Sequence, residues 1–357
     1  MSAGEVHRFS CSIVVCAALA MLPLRALAEP GTPATENARG LKEDVVFTDY
    51  SPLSANAEIV RRMLSPLTAA QVPAALARAG RRLSGQPVDL TVEKFVLYVP
   101  ERDPPQGFGL LVFVPPWNGA VAPSDWIPVF DQLGLIFVAA TGSGNDASVL
   151  GRRTPLALLA EYNVAKRYRV DPQRIYVAGF SGGSRVALRL AIAYPDVFRG
   201  AILDAGSDPI GDSGAPLPPK DLFSRAQETM HVVFVTGGRD TEPMMRERAS
   251  MRSLSSWCVF NVDSYAETFV AHDVMNAAAL SQAVKLVSAP VQTNAQEFAG
   301  CRSKIESDLD AQLNDAETLL SAGKRDEARR KLLEIDAHFG GLAAPRSVEL
   351  FNRLGGS

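Results

Sequence analysis

Histidine and cysteine are scarce in this chain, with four of each among 357 residues. No two histidines stand at H-x-x-x-H spacing, so the sequence offers no ligand set for zinc chemistry. No Gly-Lys-Ser/Thr follows the glycines of Thr141-Gly142-Ser143-Gly144-Asn145-Asp146, which excludes a phosphate-cradling loop there. Basic residues are not in excess. Lys and Arg number 36 against 39 Asp and Glu, and a net charge of −3 leaves no electrostatic footprint for nucleic acid. Long apolar runs are missing too. The best candidate, Phe9 to Leu22, is interrupted by Pro23 and falls short of the ~20 residues that span a bilayer. Arg8 precedes this run and Ala26-Leu27-Ala28 follows it, the pattern of a secretory signal cleaved after Ala28. Val15 before Cys16 argues against a lipoprotein signal. Residues 1–28 are therefore read as a signal peptide, and the rest as a periplasmic or secreted protein with no membrane span after cleavage.

Cleavage removes Cys11 and Cys16 and leaves Cys258 and Cys301. In an oxidising compartment that even pair is either a disulfide or two unrelated buried thiols.

What is present has the balance of an ordinary globular protein, 47% hydrophobic and 21% charged. Residues 29–89 divide into a lead-in rich in Pro, Thr, Ala and Gly up to residue 40, and a helical segment from Ala55 to Leu83. Ile59, Met63 and Leu64 form one apolar stripe there. Thr68 is read as the N-cap of a second helix carrying Val72, Leu76 and Ala79. Residues 90–290 change rhythm. Phe95–Val99 and Leu110–Val114 are strand-like and are separated by the turn Asp103-Pro104-Pro105-Gln106-Gly107. Further strands follow at 135–139, 174–178, 201–203 and 232–235, alternating with helices at 156–167 and 184–194, and a last helical pattern runs from Val274 to Val287. Near-continuous apolar strands are buried on both faces, so this segment is predicted to be α/β, a mostly parallel sheet covered by helices on both faces.

Residues 300–357 form a predicted helical hairpin. Ile305, Leu309, Leu313, Ala316 and Leu320 share one face, Gly323 breaks the pattern, and Ala328, Leu332 and Ile335 mark a second face before Gly340-Gly341. The stretch LLSAGKRDEARRKLLEI resembles the turn and second helix of a tetratricopeptide unit. One such unit cannot bury its own apolar face, so the hairpin is expected to dock on the main domain or on a protein partner.

The chemistry centres on YVAGFSGGSRVAL, residues 176–188. Gly179-Phe180-Ser181-Gly182-Gly183 matches G-x-S-x-G, with a buried strand before it and an apolar-faced helix after it. That setting holds a serine on a sharp turn, where bulky neighbours would clash and the Gly182 N–H can face a developing oxyanion. A serine hydroxyl needs a base. Of the histidines beyond the signal, His231 begins a strand at the wrong end of the sheet and His338 lies in the terminal hairpin. His272 remains, after Phe269-Val270-Ala271. Asp240, beyond Val232–Val235 and the loop Thr236-Gly237-Gly238-Arg239, is the favoured acid, with Asp204 and Asp208 as rivals. A second oxyanion donor is expected from the loop after Leu110–Val114. Its prolines have no N–H, which leaves Trp117 or Asn118.

With these residues in place, YRVDPQRIYVAGFSGGSRVALRLAIAYPDVFRGAILDAG resembles the α/β-hydrolase superfamily, and within it the secreted polyhydroxybutyrate-depolymerase and feruloyl-esterase-like branch. The resemblance spans roughly residues 90–290 and is most specific at the serine turn. It implies a Ser181–Asp240–His272 triad cleaving a small-molecule or polymeric ester through an acyl-enzyme, without a cofactor. The chain departs from that branch in carrying Pro116-Trp117 where members usually have His-Gly, and Asp273-Val274-Met275 after the histidine where a Trp-Pro segment is common. No polymer-binding module is evident. Two other functions fit the same residues: a serine peptidase on the same fold, and a hydrolase scaffold with lapsed catalysis whose hairpin binds a partner.

Overall fold

Alternation within the apolar strands sets the architecture. In the computed structural model, which describes residues 39–355 except 81, 84, 213 and 293, Leu110, Val112 and Val114 of one strand enter one apolar cluster, while Leu111 and Phe113 enter another. Leu97 and Val99 divide from Val96 and Tyr98 in the same way. A strand with both of its faces apolar needs a layer of helices on each side. The signal-peptide reading of residues 1–28 and nearly all of the lead-in fall outside the described residues.

In chain order the elements are β1 (Gly40–Val45), α1 (Asn56–Met63), α2 (Pro66–Arg78), β2 (Phe95–Val99), β3 (Phe108–Val114), α3 (Ile127–Leu133), β4 (Leu135–Ala140), α4 (Thr154–Arg167), β5 (Val170–Phe180), α5 (Gly182–Ala193), β6 (Gly200–Asp204), α6 (Lys220–Thr229), β7 (His231–Gly237), α7 (Thr241–Ser256), β8 (Val262–Glu267) and α8 (Ala277–Val287). Three helices close the chain: α9 (Ala295–Ser321), α10 (Arg325–Phe339) and α11 (Arg346–Arg353). The eight strands form one sheet in the order β1-β2-β4-β3-β5-β6-β7-β8. β2 is antiparallel to both neighbours, and every pairing from β4 to β8 is parallel. The strand order reverses between β3 and β5. At such a switch point the loops leaving the two carboxyl ends diverge and open a crevice.

β1 and β8 carry no continuous apolar run, which is why apolar-run reading passes over them. They sit at the two edges of the sheet, and most of their residues are only partly buried or exposed. Thr68 is not an N-cap. α2 starts at Pro66, directly after Ser65, and Thr68 lies in its first turn, its hydroxyl 2.9 Å from Ser65 Oγ. Proline fixes φ and has no N–H to lose, so it fits the first helical position and moves the start of the helix forward.

The carboxyl-terminal helices bury Leu313, Ala316, Leu332, Ile335, Phe339 and Leu350 in the same apolar cluster that lies under β3, β5 and α5. Asp336 fastens α10 to the start of α2, accepting from Leu67 N–H at 2.9 Å and from Ser65 Oγ at 2.5 Å. Gly341 N–H donates to the Leu217 carbonyl at 2.7 Å. α11 is a third helix beyond the two-helix hairpin that the sequence pattern predicts. Cys258, just past α7, and Cys301, in α9, are joined as a disulfide with Cα atoms 5.9 Å apart.

Candidate active site

The turn from β5 into α5 carries Ser181 at φ 52° and ψ −118°, a left-handed conformation that costs a non-glycine residue about 1–3 kcal/mol. The surroundings hold it there. Ser181 N–H donates to the Asp204 carbonyl at 2.7 Å, and Ser184 Oγ donates to the same carbonyl at 2.6 Å, so the end of β6 clamps the turn. The glycine at 183 is required by close approach: a Cβ there would lie 1.8 Å from the Val114 carbonyl oxygen at the end of β3.

Two loops bring the other groups to this serine. Asp240 follows β7, where its N–H donates to the Gly237 carbonyl at 2.9 Å. His272 follows β8. The two loops are laced together by Gly238 N–H to Glu267 O at 2.8 Å and Arg239 N–H to Val270 O at 2.9 Å. His272 Nδ1 then stands 2.6 Å from Asp240 Oδ2, and Nε2 stands 3.0 Å from Ser181 Oγ. A carboxylate at Nδ1 favours the tautomer with the proton on that nitrogen, which leaves the Nε2 lone pair facing the serine hydroxyl. The Asp240 side chain is 12% exposed and that of His272 46%, so the acid is sheltered while the imidazole faces the solvent side. The Phe180 ring, 4.9 Å from the imidazole, flanks it.

The rival acids are placed otherwise. Asp204 is buried beneath the turn, where its carboxylate accepts from Met275 N–H at 2.9 Å, and burial holds its pKa well above the ordinary aspartate value. Asp208 faces Arg185, Arg189 and Arg246 at 3.6–3.7 Å. His231 pairs with Asp263 at 2.7 Å at the start of β7, and His338 pairs with Asp212 in the carboxyl-terminal region.

A cleft of about 540 Å³ opens beside Ser181. It is lined by Asn145, Arg153, Gly182, Arg185, Arg189 and Asp208, together with Val149 and Val186. Trp117 and Asn118 are not among its lining residues. The Trp117 ring packs 6.0 Å from that of Phe180, and the Asn118 carbonyl accepts from Gly142 N–H at 2.6 Å. The loop after β4 comes between: Asn145 N–H donates to the Pro116 carbonyl at 2.9 Å, and the Asn145 side chain reaches so close to Gly182 that a Cβ there would sit 2.1 Å from its Oδ1. Sequence reading excludes a phosphate loop at residues 141–146 and does not single out Asn145. The arginines left a trace it did not use, since Arg185 and Arg189 stand one helical turn apart just after the serine. Among the described residues, no group of three or more His, Cys, Asp or Glu side chains could hold a metal ion.

An eight-stranded sheet of this order, with its second strand antiparallel and a serine at the strand-to-helix turn after the fifth, defines an α/β-hydrolase fold. Within it, residues 137–246, from β4 into α7, match the family model described as Esterase PHB depolymerase. Over 106 residues the chain is 30% identical to a poly(3-hydroxybutyrate) depolymerase of Ralstonia pickettii, an alignment covering 26% of this chain and 22% of that protein. The chain thus spans well under half the length of that relative. Among solved structures, a ferulic acid esterase aligns with a TM-score of 0.41 at 15% identity, over 55% of this chain and 92% of that one. Est1E of Butyrivibrio proteoclasticus aligns with a TM-score of 0.39 at 15% identity, over 54% and 91%.

Proposed function

We propose that this protein is a serine hydrolase that cleaves carboxylic esters through an acyl-enzyme, with Ser181 as nucleophile, His272 as general base and then general acid, and Asp240 as the orienting acid. The observation that carries this reading is the unbroken hydrogen-bonded run from Asp240 through His272 to Ser181, on a serine held at φ 52°. The match of residues 137–246 to an esterase family model supports the choice of bond.

The proposed steps are those of a serine, a base and an orienting acid. His272 Nε2 takes the Ser181 proton as Oγ attacks the ester carbonyl, and Asp240 steadies the imidazolium that forms. The Gly182 N–H, first in α5, is the donor assigned to the developing oxyanion, with the helix dipole behind it. A second donor comes from the residues that crowd this point, the Asn145 amide or the backbone of Trp117 or Asn118. His272 then protonates the leaving alcohol, and water, activated by the same imidazole, releases the acid and restores Ser181. No cofactor enters this sequence.

We place the protein in the periplasm or outside the cell, with its mature chain starting at Glu29. The Cys258–Cys301 disulfide suits an oxidising compartment. Among the described residues no helix is long and apolar enough to cross a membrane. Labelling with a fluorophosphonate probe tests the chemistry. The folded protein should take up one equivalent at Ser181, and a folded protein that neither labels nor hydrolyses any aryl ester would instead be a binding scaffold. Mass spectrometry of the secreted protein tests the Glu29 terminus.

A further inference from the structure

The wall of the cleft beside Ser181 is cationic. Arg153, Arg185 and Arg189 line it, and Asp208 is the only carboxylate among the lining residues. Arg153 is 4% exposed and is delivered by a short π-helical turn, Val149–Arg153, that runs into α4. Its guanidinium donates to the Ser143 carbonyl at 2.8 Å and to the Pro115 carbonyl at 3.0 Å, so its contacts are neutral oxygens and its charge stays uncompensated. Arg185 and Arg189 rise from α5 one turn apart, the first of them four residues after the nucleophile. Asp208 approaches them only at 3.6 and 3.7 Å, beyond hydrogen-bond length, and it is shared with Arg246 at 3.6 Å. Arg246 also has its own partner in Glu242. Arg185 Nε and Arg189 Nε are both buried without a hydrogen-bond partner.

Buried donors without acceptors are costly, and a wall with three guanidinium groups and one carboxylate gathers anions. Guanidinium forks match the planar, two-oxygen geometry of a carboxylate. The volume, about 540 Å³, suits a small organic ligand. We propose that this cleft binds a carboxylate carried by the ester substrate itself, with Arg185 and Arg189 as its principal donors and Arg153 setting the positive potential. The enzyme would then prefer esters of dicarboxylic or hydroxycarboxylic acids, with the free acid a few bonds from the scissile carbonyl, over esters of the same size without charge. This inference rests on the ester hydrolysis proposed above. It adds a substrate class to that reaction.

Two matched substrate pairs test it without disturbing the protein. One pair is the 4-nitrophenyl monoester of succinic acid and its methyl ester, which puts the charge on the acyl side. The other is 4-(carboxymethyl)phenyl butyrate and its methyl ester, which puts it on the alcohol side. In at least one pair the acid should be turned over with about tenfold or greater advantage in kcat/KM, since a hydrogen bond to a charged group contributes about one to two powers of ten. That advantage should shrink as salt is raised, because the arginines are partly exposed. In Arg185→Gln and in Arg189→Gln the acid-to-ester ratio should fall about tenfold, mostly through KM. If both pairs are cleaved by the wild-type protein with no preference for the acid, the proposal is overturned while the esterase reading stands. If all four esters resist cleavage, the esterase reading itself has failed. A preference that persists unchanged in both variants would also overturn the assignment to these arginines.

Discussion

The mouth of the sheet and the carboxyl-terminal helices place left-handed backbone on different residues. At the mouth, positive φ falls on Gly142 but also on residues with side chains: Ser181 at 52°, Ala205 at 50° and Phe269 at 67°. In the helices from residue 295 onward it falls on Gly323, Gly340 and Gly355, where it costs little. The mouth also keeps buried donors without acceptors and a wall of like charges. The terminal helices are held instead by apolar burial, by the Asp336 clasp on α2 and by a disulfide. Strain is retained at Ser181, where a hydroxyl must be aimed, whereas from residue 295 onward the described residues at positive φ are glycines. Two regions built on such different terms should answer differently to mutation, one in rate and the other in stability.

The largest effect is expected at Ser181. Ser181→Ala should remove fluorophosphonate labelling and lower ester turnover by about 10⁶-fold, the scale on which a nucleophile acts. The melting temperature should hold or rise, because alanine loses only a partly exposed hydroxyl. Retained labelling would sink the assignment of the nucleophile. Asp240→Asn comes next. The imidazole would lose its orienting carboxylate, and the turnover number should fall by up to about 10⁴-fold in a protein with unchanged circular dichroism. Should Asp204→Asn, in a folded protein, cause the larger loss instead, the acid lies beneath the turn and the laced loops after β7 and β8 serve some other purpose.

Much of this contrast could be read in the sequence, and the reason is physical. A fully buried strand must be apolar on both faces, so β2 to β7 stand out as runs, and the sheet with its helical layers follows from them. The turn at Ser181 leaves its mark because a Cβ at residue 183 would strike the Val114 carbonyl. Edge strands escape because one side of each has no strand to pair with, so Gly40–Val45 and Val262–Glu267 carry the polar residues of a surface. Asn145 and Arg153 escape for a different reason. Their meeting around Ser181 depends on loops from β3, β4 and β5 converging at the switch point, and no spacing along the chain encodes that. Thr68 misleads as a cap because two hydroxyl residues compete for the start of α2 and only Ser65 stands directly before proline.

The disulfide acts on stability. Cys258 and Cys301 close a loop of 43 residues. A cross-link of that span stabilises the fold by about 4 kcal/mol through loss of freedom in the unfolded chain. The double variant Cys258→Ser/Cys301→Ser should therefore melt several degrees lower, while kcat on a small neutral ester stays within about twofold. A large loss of kcat at a temperature well below melting would show that the terminal helices shape the mouth, and the division drawn above would fail.

The smallest effect is expected from a carboxylate that belongs to neither region. Glu161 lies in α4, on the layer beneath the sheet, and burial, aided by repulsion from Asp196, pushes its pKa up to about 7. In the unfolded chain it returns to the ordinary glutamate range near 4.5. Between those two values the folded protein holds a proton that the unfolded chain has released. Stability contributed by the neutral form is therefore complete below pH 4.5 and declines as pH rises toward 7. The loss is up to about 3 kcal/mol once the group ionises in the fold. Glu161→Gln keeps the side chain neutral, so above pH 7 it should be more stable than the wild type, and the gap should close as the pH falls toward 4.5. Melting curves of both proteins across this range decide the matter. A constant gap at every pH would mean that the two side chains differ in packing alone. Because Glu161 touches neither Ser181 nor the disulfide helices, the substitution should leave the acid-to-ester preference of the cleft unmoved, and it thereby serves as the control that separates general stability from events at the mouth.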